Sequence, residues 1–227
     1  MLLHIPGVLS AEELEEARAA LAGAAWADGR ATAGHLSAEV KRNQQLHWQD
    51  PLAGRLGALV TERLERNPMF LSAALPRTIL PPLFNRYAGG GCYGPHLDGA
   101  LRPIEGAGRR LRTDLSFTLW LSAPETYDGG ELVIRETIGE RALKLPAGDL
   151  LLYPGTSIHH VAPVTRGERL AAFGWVQSMV RDGGERALLF ELDAAIQRLQ
   201  CDGDAARANI LGLTNVYHNL LRRWADP

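Results

Sequence analysis

Ala142-Leu-Lys-Leu145-Pro-Ala-Gly-Asp149-Leu-Leu-Leu-Tyr153-Pro-Gly-Thr-Ser-Ile-His159-His-Val-Ala-Pro163 contains three short apolar runs, cut apart by Pro-Ala-Gly-Asp and Pro-Gly-Thr-Ser. Each run is too short for a stable helix and is bounded by turn residues, so each reads as a strand. The same alternation extends outward through Ile79–Tyr87, Asp114–Leu121, Glu131–Arg135 and Leu170–Val180, with Asp128-Gly-Gly130 and Arg166-Gly-Glu168 as further separators. Many short strands at close spacing predict a sandwich or barrel, not strand–helix–strand units. A double-sheet jelly roll with its core at about residues 78–180 fits best, giving a mainly β chain with flanking helices.

Helical signals lie on both sides of this core. Ser10-Ala-Glu-Glu13 has the form of a capping box, and Leu14, Ala17, Arg18 and Leu21 follow at helical spacing to about Ala22. Asp50-Pro51 opens a second helix, with Asp as N-cap and Pro at the first position. Leu52, Leu56, Leu59, Val60 and Leu64 form its apolar stripe, and Pro68 is expected to end it. Both helices are expected to buttress a sheet. Trp26–Gln49 reads as loops plus a short strand, with His35 and His47 as surface or hydrogen-bonded histidines. After Arg181-Asp-Gly-Gly184, helical periods over Ala187–Leu199 and Ala205–Trp224, separated by Asp202-Gly-Asp204, predict a helical hairpin. The chain then divides into residues 1–180 and a C-terminal helical extension, 181–227. His218 and Arg222-Arg223 read as a solvated helix face, with a docking or homodimer surface as the sharper alternative.

Composition narrows the class of protein. At 227 residues, 46% hydrophobic and 22% charged, the chain is an ordinary globular one and not a disordered one. A net charge of −2 offers no case for nucleic acid or an anionic membrane as partner. Cys92 and Cys201 are too few for a disulfide framework. The start, Met-Leu-Leu-His-Ile-Pro-Gly, lacks the features of a signal peptide, and no apolar run is long enough for a bilayer span. A reducing, cytoplasmic setting is expected.

The chemistry is concentrated in Tyr87-Ala-Gly-Gly-Gly-Cys-Tyr-Gly-Pro-His-Leu-Asp98. On an extended segment, residues two apart project to one face, so His96 and Asp98 can reach one point. A third ligand completes the two-histidine, one-carboxylate triad that leaves positions open on non-haem Fe(II). Tyr153-Pro-Gly-Thr-Ser-Ile-His159-His160 supplies two candidates on opposite strand faces, and the residues alone leave that pair open. Ten residues past His159, Arg169 is a cation able to hold the far carboxylate of a 2-oxo acid bidentately. Arg166 competes with it but sits beside Gly167 in a stretch that reads as a turn.

These residues resemble the Fe(II)/2-oxoglutarate dioxygenases of the prolyl-4-hydroxylase type, and more closely the bacterial PKHD-type hydroxylases, some of them named as iron-uptake factors. The resemblance is carried by Arg86-Tyr87-x-x-Gly90-x-x-Tyr93-x-x-His96-x-Asp98, by Leu111-Arg-Thr-Asp-Leu-Ser116 and by Tyr127-Asp-Gly-Gly-Glu-Leu132. It continues in Leu145-Pro-Ala-Gly-Asp149, Tyr153-Pro-x-x-Ser-Ile-His159, Pro163-Val-Thr-Arg-Gly167 and Gln177-Ser-Met-Val-Arg-Asp182, nearly end to end. It implies a double-stranded β-helix, Fe(II) on His96, Asp98 and His159, and 2-oxoglutarate on Arg169. O2 is the oxidant, with L-ascorbate as an accessory reductant. It favours His159 over His160. It also implies that Tyr87 and Tyr93 lie near the co-substrate, and the inward face of Asp114–Ser122 offers Thr118 or Trp120 to the same pocket.

The expected activity is hydroxylation of an unactivated C–H, on peptidyl prolyl or lysyl side chains or on a small molecule linked to iron uptake. A cupin-like metal or 2-oxo-acid sensor without turnover is the competing reading, and Arg169 argues against a plain metal sensor. A zinc hydrolase would need a nearby general base, which the sequence does not offer. Cys92 reads as a small buried residue. Arg109, Arg110 and Arg112 read as a solvated loop, with an acid-attracting rim as the alternative.

Overall fold

A computed structural model describes residues 1–32, 34–104, 106, 108–200 and 207–227. Cys201, the expected Asp202-Gly-Asp204 turn and the expected helix start at Ala205 lie outside the described residues. So does the side chain of His35. His47 is exposed.

The strands, in chain order, are β1 (Leu3–Ile5), β2 (Trp26–Asp28), β3 (Lys41–Arg42), β4 (Gln44–Leu46), β5 (Pro76–Ile79) and β6 (Leu83–Ala88). Next come β7 (Cys92–His96), β8 (Leu101–Ile104), β9 (Arg109–Arg112), β10 (Leu115–Trp120), β11 (Asp128–Gly129) and β12 (Leu132–Arg135). The last are β13 (Glu140–Leu143), β14 (Leu150–Pro154), β15 (His159–Val161), β16 (Val164–Arg166) and β17 (Glu168–Ser178). The helices are α1 (Ala11–Ala22), α2 (His35–Glu39), α3 (Pro51–Arg66), α4 (Pro68–Ala74), α5 (Gly183–Gln200) and α6 (Arg207–Trp224).

One sheet has the order β1-β14-β10-β17-β6-β4-β2, with β5 also pairing β17; the facing sheet has the order β13-β12-β15-β7-β3. From β6 to β17 the chain passes repeatedly between the two sheets, the expected jelly roll. Side chains on β10 divide by parity. Leu115, Phe117 and Leu119 join the helices in one core, whereas Ser116, Thr118 and Trp120 point between the sheets. The outer core combines Leu14, Leu21, Leu56, Val60, Leu64 and Phe70 with Leu150 and Leu152 of the sheet. The N-terminal helices therefore buttress the large sheet.

Helix starts follow the local chemistry. Ser10 Oγ accepts from the Glu13 amide at 3.2 Å while the Ser10 amide donates to the Glu13 carboxylate at 2.8 Å. Asp50 accepts from the Leu52 amide at 2.8 Å, with Pro51 following. Pro68 does not simply stop α3. It is the first residue of α4, because Asn67 closes one helix and caps the next, its side chain accepting from the Phe70 amide at 2.9 Å. Proline at that position loses no helical hydrogen bond.

Three further expectations are corrected. Ile79–Tyr87 is two strands, since Pro81 and Pro82 have no N–H for the ladder. Trp26–Gln49 contributes three short strands instead of one: β2 and β4 extend the large sheet, and β3 pairs with β7 in the small one. The stretch with Arg109, Arg110 and Arg112 is not a loop but half of a β8–β9 hairpin, in which Leu111 is buried opposite Arg102. Arg112 is committed to Asp114, at 2.5 and 2.9 Å.

Helices α5 and α6 close the same side of the molecule as α4. Leu75, Val180 and Leu189 pack with Tyr217, Leu220, Leu221 and Trp224, and Ser72 Oγ donates to Asp193 at 2.5 Å. Buried Arg186 donates to the Val180 and Arg181 carbonyls at 2.6 and 2.8 Å. His218, Arg222 and Arg223 are exposed, as expected. Among the described residues, no helix is long and apolar enough to cross a membrane.

Because α4 shares its core with the barrel, Phe70→Ala should lower unfolding stability by about 3–5 kcal/mol through one cooperative transition. Leu188→Ala, at a side chain 57% exposed, should stay within about 0.5 kcal/mol. Denaturant titration read by both near- and far-ultraviolet dichroism checks this, and separate transitions in Phe70→Ala would contradict a shared core.

Candidate active site

Antiparallel pairing of β15 with β7 sets His159 directly opposite His96. Asp98, two residues beyond His96, returns to the same point, where its Oδ2 lies 3.9 Å from His159 Nε2. One ligand atom from each of the three side chains falls within 4.8 Å of the others. Each imidazole is held from behind. His96 Nδ1 lies 2.8 Å from the Gly94 carbonyl, and His159 Nδ1 lies 3.0 Å from that of Ser157. A carbonyl only accepts, so Nδ1 carries the proton and Nε2 keeps its lone pair for a metal. Asp98 Oδ2 accepts from Ser116 Oγ at 2.7 Å.

Burial, reinforced by repulsion from His159, pushes His96 down to about 4, so its neutral ligand form prevails at neutral pH. Tyr93 stacks on His96 at 3.5 Å between ring centroids, and Tyr153 meets His159 edge-on at 5.3 Å. Burial pushes the Tyr87 phenol up to about 12 and raises that of Tyr153, so both stay neutral. Two bare imidazole nitrogens and one carboxylate form a donor set suited to a divalent transition metal. His160, next on the strand, is only half-buried and pairs across to Val133.

Arg169 lies in the same cavity, 1% exposed and opposite Tyr87 in the β17–β6 pairing. Its guanidinium carbon is 5.3 Å from the Tyr87 ring centroid and 5.4 Å from that of Trp120. Among the described residues no carboxylate lies within ion-pair distance of it, and its Nε has no hydrogen-bond partner. A buried cation left this way is costly, and the cost is relieved when an anionic ligand arrives. Gly130, with φ +69°, makes room: a Cβ there would lie 3.1 Å from Arg169 Cδ and 2.8 Å from Val164. Arg166 is instead exposed and bound to Asp128 at 2.7 and 2.9 Å. Tyr87, Tyr93 and Thr118 also line the cavity, and Trp120 reaches it through its contact with Arg169. Cys92 is half-buried and free.

Several lining residues carried no signal in the sequence reading. Lys41, Asn43 and Asn85 line the cavity from strands β3 to β6, and Arg102 from β8 lies with its guanidinium carbon 3.5 Å from the Trp175 ring centroid. Ser116 stands in a quoted motif, but its role toward Asp98 depends on a contact between residues 18 apart. Burial and the nearby Arg102 charge push Lys41 down to about 8.

Comparison with known proteins follows the same lines. Residues 82–177 match the model of the 2OG-Fe(II) oxygenase superfamily, and residues 183–226 match the PKHD-type hydroxylase C-terminal domain. The chain is 56% identical over 226 residues to a PKHD-type hydroxylase of Bordetella pertussis, covering 100% of both chains. A Pseudomonas putida prolyl-4-hydroxylase superposes with a TM-score of 0.53 at 22% identity, over 78% of this chain and 92% of that one. HygX from Streptomyces hygroscopicus, with nickel and 2-oxoglutarate bound, gives 0.54 at 18% identity, over 79% and 84%. Identity of this order along the full length shows that the chain belongs to the PKHD-type hydroxylases of the 2OG-Fe(II) oxygenase superfamily.

Proposed function

We propose that the protein hydroxylates an unactivated C–H bond in a reaction dependent on Fe(II) and 2-oxoglutarate. In this reading His96, Asp98 and His159 hold the iron, Arg169 holds the far carboxylate of 2-oxoglutarate, and Tyr87, Tyr93 and Thr118 line the co-substrate's berth. One observation carries it. The three converging donors, with both Nε2 atoms bare, face the same cavity as a buried arginine that has no carboxylate partner among the described residues.

Ferrous iron bound there supplies the activation of O2, with 2-oxoglutarate, O2 and R–H becoming succinate, CO2 and R–OH. One oxygen atom enters succinate and the other the new hydroxyl. L-ascorbate enters this reading as the accessory reductant. The protein's own contribution is positional. The Gly94 and Ser157 carbonyls fix both imidazole tautomers, and Ser116 orients the Asp98 carboxylate. The Tyr87 and Trp120 rings hold the Arg169 guanidinium where a dicarboxylate can reach it. Neutral buried phenols and apolar walls exclude water around the reacting centre. Residues 1–180 form the catalytic unit in this reading, and 181–227 a helical extension that seals its flank.

The wild-type protein, given Fe(II) and 2-oxoglutarate without oxygen, should develop a visible charge-transfer band and should form succinate once oxygen is admitted. Asp98→Ala should lose both, whereas iron binding in the wild type with no band and no succinate would overturn the enzyme reading. Arg169→Gln should keep the metal but weaken 2-oxoglutarate binding about 100-fold, as expected for a buried charge pair worth about 3 kcal/mol. Calorimetric titration of the metal-loaded protein reads this directly. Ser116→Ala should weaken metal binding about 10-fold or more through the lost support of Asp98, measured by competition with a chelator.

A further inference from the structure

The charge of the cavity exceeds what iron and 2-oxoglutarate account for. Among the described residues, its charged lining residues are Asp98 on one side of the balance and Lys41, Arg102 and Arg169 on the other, in a chain whose net charge is −2. A divalent metal adds two positive charges and a dicarboxylate removes two, so the excess of cations remains. The diacid's ends are both assigned, one at the metal and one at Arg169. Lys41 and Arg102 are left over.

Arg102 stands apart from the Arg169 end. On β17, Arg169 and Trp175 are six residues apart on one face, roughly 20 Å along the strand. Trp175 pairs across to Ser116, the residue that bonds Asp98, so Arg102 on the Trp175 ring stands at the level of the metal ligands. Lys41 approaches from β3, opposite Tyr93 in register, with its ammonium 5.0 Å from the Tyr93 ring centroid. It is 4% exposed and, among the described residues, bonds only neutral acceptors, Thr32 Oγ1 at 3.0 Å and Gln45 Oε1 at 2.9 Å. Neither Lys41 nor Arg102 has a carboxylate within ion-pair distance among the described residues, and Arg102 Nε has no partner. Beside them Asn85, 7% exposed, leaves its Oδ1 unpartnered. Other cations that serve structure have their partners in the protein: Arg112 on Asp114, Arg166 on Asp128, Arg63 on Glu13, and buried Arg186 on the Val180 and Arg181 carbonyls.

Resting on the function proposed above, we infer that Lys41 and Arg102 form a second anion subsite that selects a primary substrate bearing an oxyanion group, a carboxylate or a phosphate. The Arg102 guanidinium carbon lies 3.5 Å from the Trp175 ring centroid, a contact that fixes the group, and a guanidinium offers N–H groups for bidentate contact. The ammonium supplies a point charge from the facing sheet, and the Asn85 carbonyl oxygen suits a hydroxyl or N–H on the same molecule. The anion thus anchors one end of the substrate and presents a neighbouring C–H to the metal-facing part of the cavity.

The chain offers a direct probe, because only two of its 24 basic residues are lysines, Lys41 and Lys144. Protein carrying 13Cε-lysine, loaded with Zn(II) and saturated with 2-oxoglutarate, should show two lysine signals. Acetate or inorganic phosphate, added up to roughly 50 mM against chloride at equal ionic strength, should move the Lys41 signal saturably and leave Lys144 in place. Whichever of the two anions saturates first identifies a carboxylate or a phosphate. Arg102→Gln should weaken that response at least 10-fold, while the exposed pair Arg109→Gln/Arg110→Gln should not change it. A Lys41 signal that follows neither anion beyond chloride would overturn the subsite, as would one already saturated by 2-oxoglutarate alone. Failure of 2-oxoglutarate to bind would instead overturn the function proposed above, and the anion response of Lys41 would still be readable without it.

Discussion

The pairing register between β7 and β15 is the constraint from which the site follows. It sets His96 against His159. A slip of one residue would turn one imidazole to the opposite face of the sheet and separate the pair. The register is held by burial on both sides: Leu132, Ile134 and Val161 pack inward from the small sheet against Leu151 and Tyr153 of the large one. Once it is set, the His-x-Asp spacing brings Asp98 to the same point, and Ser116 from the opposite sheet fastens the carboxylate. The jelly roll is thus the means by which the small sheet delivers three donors to one place while the large sheet supplies the hydroxyl that fastens one of them.

Electrostatics organises the rest of the cavity. Arg169 is enclosed by aromatic rings and has no counter-ion among the described residues, an arrangement that burial penalises unless a ligand carries the opposite charge. The same logic separates it from Arg166, which sits on the surface and is satisfied by Asp128. Extended to Lys41 and Arg102, it adds further cations to the cavity, with Arg102 at the level of the donor triad and Arg169 farther along β17. An acid-attracting role considered for the arginines near residue 110 is better placed on Arg102, whose side chain points inward while Arg109 and Arg110 are exposed.

What could be read from the sequence was local in character. Ser10-Ala-Glu-Glu13 and Asp50-Pro51 encode helix starts within four residues, and the short apolar runs with their Gly and Pro boundaries encode strands. His96 and Asp98 were readable because two-residue spacing in extended chain brings side chains to one face, and the two do converge although β7 itself ends at His96. Reading Pro68 as the end of α3 is right but incomplete: the same residue type also favours the first turn of a new helix, and Asn67 before it caps that helix. The edge strands within residues 26–46 carry too little periodicity to announce themselves, since two or three residues cannot display a pattern. Lys41 and Arg102 were missed for a related reason: their placement depends on β3 pairing with β7 and on the β8–β9 hairpin folding over Trp175, contacts that no local pattern records. A lysine in so arginine-rich a chain was the one available hint.

The most direct measurement is an anaerobic crystal structure with Fe(II) and 2-oxoglutarate bound. The account predicts iron on His96 Nε2, His159 Nε2 and the Asp98 carboxylate, with the far carboxylate of the diacid on Arg169 and nothing of it on Lys41 or Arg102. Iron bound by other residues, or a diacid whose far end turns away from Arg169 toward Lys41 and Arg102, would contradict it.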